Sequence, residues 1–175
     1  MKTLLSLFIA CAALVSAAAS SVAAPAVGCD GFLWPLATEI AWMKSDGTEK
    51  VDSGSTLPTP PDGKAVALAL KPAAEVMLPA TPTKTPKPGD DKTLAGVVTF
   101  GNISQGHYQV TLSAHAWIDV VQNGKALEAT GHTGSADCEF ARKSVRFEIA
   151  EGPVSIQIYG AQAATVKFTI RPATD

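Results

Sequence analysis

The chain has 175 residues, 46% of them hydrophobic, 17% charged and 6% aromatic, with a formal charge of −2. A near-neutral balance without a basic run excludes a nucleic-acid binder, and this apolar content excludes wholesale disorder. Mean hydropathy is +0.17, but the long apolar run is confined to the N-terminus, so no membrane span is expected once that run is removed.

Lys2 opens a short positive region, Leu4 to Val15 is apolar, and small residues follow from Ser16 to Ala26. That order is a secretory signal peptide. Cleavage is placed after Ala23, because cutting after Ala24 would set Pro25 beside the scissile bond; Ala19 and Ala26 are alternative sites. The chain then divides into a signal peptide over 1–23, an N-terminal segment with a loop over 24–63, and a β-sandwich core over 64–175. Roughly 150 mature residues are enough for one domain with one core. The expected location is periplasmic or secreted. An uncleaved anchor is one alternative, although the run is shorter than the ~20 residues of a span. A lipoprotein is another, since Ala26-Val27-Gly28 precede Cys29.

Cys11 leaves with the signal, so Cys29 and Cys138 are expected to pair in an oxidising compartment. The bridge would close a loop of about 110 residues and tie the N-terminal segment to the later strands. Lipidation of Cys29 would preclude it. No Cys-x-x-Cys is present to tune a redox thiolate.

Gly31 to Met43 carries Phe32, Trp34, Leu36, Ile40 and Trp42, a pattern that fits a strand or a short helix. Ser45 to Gly63 is rich in turn formers and reads as a loop with one short strand around Val51. Ala65 to Leu70 alternates as a strand, and a second short strand is expected near Glu75 to Leu78. Pro79 to Asp91, PATPTKTPKPGDD, reads as an extended surface crossover, because its four prolines cannot donate to a ladder.

Leu94 to Phe100 is a strand and Gly101 to Gly106 a turn. Tyr108, Val110, Leu112, Ala114, Ala116, Ile118 and Val120 keep one apolar parity, which predicts a long strand bent near Ser113 to Ala116. Asn123-Gly124 supplies a type I′ hairpin turn. Val145, Phe147 and Ile149, then Val154, Ile156 and Ile158 after the Gly152-Pro153 turn, then Val166, Phe168 and Ile170 complete the alternation. Short alternating strands at this spacing predict an all-β fold, an antiparallel β-sandwich or jelly roll in one domain.

The runs GHYQVTLSAHAWIDVV, KSVRFEIAEGPVSIQIYG and VKFTI resemble the strand order of bacterial pre-peptidase C-terminal β-sandwich modules, over less than half of the mature chain. CDGFLWPL and AWIDVVQNGK are also similar to small exported proteobacterial proteins, some of which bear the label homogentisate 1,2-dioxygenase. That label implies iron held by histidines and a carboxylate in a longer cupin chain. No His-x-His followed by Glu occurs here, so no iron ligand carries over to a residue of this sequence.

A two-residue turn at Asn123-Gly124, extended in register, opposes Asp119 to Glu128, Trp117 to Thr130 and His115 to His132. Opposed Cβ atoms lie about 4.5 to 5.5 Å apart, close enough for His115 and His132 to share a divalent metal ion. The carboxylate pair would repel itself unless a cation, Lys125, Arg142 or another strand intervenes. His115 and Asp119 are separated by about 13 Å of strand, so one ion needs a bulge or a further ligand from Asp137 or Glu139. His107 lies too far along the same strand to join them. Trp117 beside Asp119, Glu128 and Thr130 could instead stack on a sugar ring and bind its hydroxyls; alternatively, the N-terminal segment covers Trp117.

No nucleophile elbow, phosphate loop or zincin motif is present. Ser113 near His115 lacks an oxyanion hole, and Ser144 and Lys143 are adjacent strand residues that point to opposite faces. The expected function is therefore an exported binding or accessory module of the envelope, with no catalytic residue and no required cofactor. Its partner would be an envelope component, a glycan or a small ligand. The alternatives are a metal-dependent enzyme using His115 and His132, and a structural envelope protein.

Overall fold

The computed structural model describes residues 28–84 and 92–174. The expected signal peptide, its cleavage site and the later part of the proline-rich run lie outside the described residues. Two six-stranded sheets pack face to face as a β-sandwich. The first runs β1 (Glu49–Asp52), β3 (Val66–Ala69), β12 (Thr165–Pro172), β6 (Gly106–Leu112), β10 (Lys143–Ile149) and β9 (Ala129–Gly134) in spatial order. The second runs β2 (Ser55–Leu57), β5 (Leu94–Ile103), β11 (Gly152–Ala161), β7 (Trp117–Gln122) and β8 (Lys125–Ala126), with β4 (Lys71–Pro72) also on β5. One short helix, α1 (Ala37–Lys44), packs outside the first sheet against β12. No helix among the described residues is long and apolar enough to cross a membrane.

The inward parity of each strand builds one core. Phe100, Phe147 and Phe168 are its largest fully buried side chains, and Leu68, Leu112, Ile149, Ile156 and Ile158 fill the space around them. The outer parity is buried as well at Gln109, Thr111 and Ser144 on the first sheet and at Asp119 and Gln157 on the second. Each outer face is therefore covered by another piece of chain.

On the first sheet the cover is the N-terminal arm. Cys29 and Cys138 form the expected disulfide, and Leu36, Cys138 and Ala141 make a small second core flanked by Phe32, Trp34 and Ile40. The Trp34 indole donates to Ser144 Oγ at 3.2 Å, and Ser144 Oγ shares a 2.8 Å bond with Thr111 Oγ1. The disulfide places this folded chain in an oxidising, extracytoplasmic setting.

Of the segment expected as strand or short helix, the later part enters α1 because Ala, Glu, Met and Lys favour a helix, with Glu39 in its first turn and Lys44 in its last. Its buried stripe is Glu39 and Met43, so a carboxylate occupies a position where periodicity looks for an apolar side chain. The short strand expected around Val51 is β1, and the loop expected over 45–63 contains a second strand, β2. Val51 opposite Leu68 and Leu57 opposite Phe100 bring isolated apolar residues onto the core, and both strands lie parallel to their partners. The sheets are consequently mixed at one end. No strand forms at 75–78, where β4 and a 3-10 turn at Ala73–Glu75 leave Met77 exposed. The bent strand expected over 107–120 is two strands, β6 and β7, in different sheets. Apolar parity survives the crossing at 113–116 because inward from either sheet is the same core.

Candidate functional site

Asn123 and Gly124 have φ of 54° and 73°, as a type I′ turn requires. Val121 pairs with Ala126 and Gln122 with Lys125, and the Leu127 N–H donates to the Val120 carbonyl at 2.8 Å. The expected register holds to this point and no further. From Ala129 the chain joins β10 of the other sheet as β9, with His132 opposite Val145. Asp119–Glu128, Trp117–Thr130 and His115–His132 are therefore not cross-strand pairs. The N-terminal arm favours this departure. Leu33 N–H donates to Thr133 Oγ1 at 3.0 Å, and a Cβ at Gly131 would lie 3.7 Å from the Trp34 ring.

The departure leaves the corner between the sheets open, as a cleft of about 630 Å³. His115, Trp117, Asp119, Glu128 and His132 all line it, together with Thr83, Lys84 and Lys143. Ile118, Leu127, Val145 and Phe147 form its apolar wall. Thr130 is not in the lining; its Oγ1 lies 2.8 Å from His107 Nε2. Among the described residues, no group of three or more His, Cys, Asp or Glu side chains is arranged to hold a metal ion.

Asp119 is 2% exposed, and its carboxylate anchors the cover of the second sheet. It accepts from the Thr83 N–H at 3.0 Å, from Thr83 Oγ1 at 2.5 Å and from Gln157 Nε2 at 2.9 Å. Ala80 N–H donates to Gln157 Oε1 at 3.3 Å, and Lys84 N–H to Tyr159 Oη at 3.1 Å. The start of the proline-rich run is thus fastened across β7 and β11. Because this segment pairs with no strand, side chains satisfy its backbone donors. An Asp119→Ala variant is expected to lose about 2 to 3 kcal/mol, since it strands the buried Gln157 amide. Limited proteolysis should then cut near Thr83; unchanged stability and protection would refute the anchoring role.

Trp117 is 37% exposed. The ammonium groups of Lys143 and Lys84 lie 3.9 and 5.8 Å from its ring centroid, and a Cβ at Gly160 would sit 3.1 Å from its Cδ1. Lys143 Nζ also donates to the Ala116 carbonyl at 3.1 Å. Burial, followed by the charge of Lys84, holds the Lys143 amine below its ordinary range. Burial pushes the Tyr159 hydroxyl up, and the Asp119 charge adds to that, while the bond from the Lys84 N–H opposes it. The arm held through Cys29 does not cover Trp117; its described residues lie on the other sheet.

Lys84, Lys143, Thr83 and Tyr159 were not legible as site residues. Lys143 shares the inward parity of Val145, a signal that places it at the core edge. Lys84 carries no such pattern.

No protein-family model and no curated protein matches the chain. Among solved structures, it is similar to the pre-peptidase C-terminal domain of a collagenase from Bacillus anthracis, with 8% identity and a TM-score of 0.38. The alignment covers 73% of this chain and 98% of that one.

Proposed function

We propose that this chain is a periplasmic or secreted binding module that takes a small ligand in the cleft between its sheets, serving the envelope as an accessory protein rather than an enzyme. The observation that carries this reading is the cleft itself. Its volume of about 630 Å³ falls within the roughly 300 to 1,000 Å³ of small-molecule sites, and an apolar wall with a few convergent polar groups is their usual make-up. Flat stacking of a sugar on Trp117 is less favoured, because two lysines already gather over that ring.

The test is a thermal-shift panel of sugars, neutral apolar compounds and organic acids against the wild type and Ala129→Trp, which sets a bulky ring at an exposed lining position. A ligand at about 100 times its Kd adds about 2.7 kcal/mol of stability. Saturable stabilisation of the wild type that Ala129→Trp abolishes is the expected result, and stabilisation that survives in the variant would refute the cleft as the site. Elemental analysis covers the metal-dependent alternative. One transition-metal ion per chain, absent from a His115→Ala/His132→Ala variant, would move catalysis ahead of binding.

A further inference from the structure

The lining of the cleft holds two lysines and two acids that do not pair with one another. Lys84 and Lys143 bring two ammonium groups over one indole ring, yet among the described residues neither lies within ion-pair distance of a carboxylate. Two acids share the lining. Asp119 is buried and already accepts three hydrogen bonds from Thr83 and Gln157, and Glu128 is exposed and pairs with neither lysine. Like charges held together at a partly desolvated site cost stability unless an anion offsets them. Lys143 shows that cost, since burial and Lys84 both disfavour its charged form.

Resting on the cleft as the ligand site, we infer that its ligand is an amphipathic monocarboxylate, with the acid head at Lys84 and Lys143 and an unbranched or aryl body along Ile118, Leu127, Val145 and Phe147. His115 and His132 are exposed in the same lining and add polar groups to the cleft. Glu128 in the same lining disfavours a second negative charge on the ligand. Ile118, Val145 and Phe147 are core residues that expose little surface, so a hydrocarbon body would cover mainly the partly buried Leu127 at the sandwich corner.

The probes are octanoate and octan-1-ol, which share a chain and differ in the charge of the head. Isothermal titration at low salt compares the disulfide-intact protein with Lys84→Gln and with Lys84→Gln/Lys143→Gln. Lys84→Gln removes none of the hydrogen bonds that hold the cleft, so it reports on binding even if the double variant is destabilised. The wild type should bind octanoate at least about tenfold more tightly than octan-1-ol, since a charge-assisted pair at a partly desolvated site is of that order. The ratio should fall in the single variant and approach unity in the double. Equal affinities in the wild type, or a ratio that survives both substitutions, overturn the inference while leaving the cleft reading intact. Binding of neither compound also overturns it, and the wider panel with Ala129→Trp then decides the cleft reading separately.

Discussion

A Cys29→Ser/Cys138→Ser variant is expected to unfold with about 4 to 5 kcal/mol less free energy than the wild type, measured by urea denaturation. The cysteines are 109 residues apart in sequence, so the bridge restrains most of the unfolded chain between them. The folded state contributes too. Cys138 is buried with Leu36 and Ala141, and the arm that Cys29 anchors is the cover of the first sheet. Reduction of the wild type should reproduce the loss. A change under about 1 kcal/mol in both experiments would mean that the arm docks without its bridge.

Glu39→Ala should cost a comparable amount, about 3 to 5 kcal/mol, because it leaves a charged partner facing a dry site. Glu39 is fully buried. Its Oε1 accepts from Arg171 Nη1 at 3.0 Å and from Gln109 Nε2 at 2.5 Å, while Oε2 has no hydrogen-bond partner among the described residues. Gln109 Oε1 in turn accepts from Arg146 Nε at 3.3 Å, and the Arg146 guanidinium lies 4.3 Å from the Trp34 ring centroid. Removing the carboxylate unpairs Arg171 and Gln109 together. Glu39→Gln keeps the volume and one acceptor oxygen, so its loss should be smaller. Equal losses for both variants would show that the charge, not packing or the acceptor oxygen, dominates. Combined with the cysteine changes the effect should be less than additive, since both lesions loosen the same arm.

The strands of the C-terminal half were legible because their inward residues alternate without a break: Val145, Phe147 and Ile149, for example, all reach the core. Asn123-Gly124 was legible as a turn because positive φ selects those residues. Alternation does not say which sheet a strand belongs to, so β6 and β7 looked like one strand. The hairpin register extrapolated correctly through Leu127 and then failed, because the path of β9 is decided by the N-terminal arm, more than ninety residues away in sequence. Five of the six ligand and metal residues singled out from the hairpin still line one cleft, brought there by a different path. The two lysines were hidden for separate reasons. Lys143 sits beside a serine that drew attention to catalysis, and Lys84 lies in a proline-rich run with no periodicity. Glu39 was hidden because a buried stripe containing a carboxylate does not look buried.

The corner cleft lies near two places where the chain steps from one sheet to the other, at 113–116 between β6 and β7 and at 127–128 between β8 and β9. The first step is pinned from the side. Ser113 N–H donates to the Lys167 carbonyl at 2.9 Å, Lys167 N–H to Ser113 Oγ at 3.0 Å, and Arg142 N–H to the Leu112 carbonyl at 2.7 Å. Covalent straps on the cleft limit how far the sheets can part or slide there. A guest would therefore meet walls already at their bound separation, little chain ordering would oppose its entry, and the free and occupied forms should differ mainly in the rotamers of Lys84, Lys143 and Trp117.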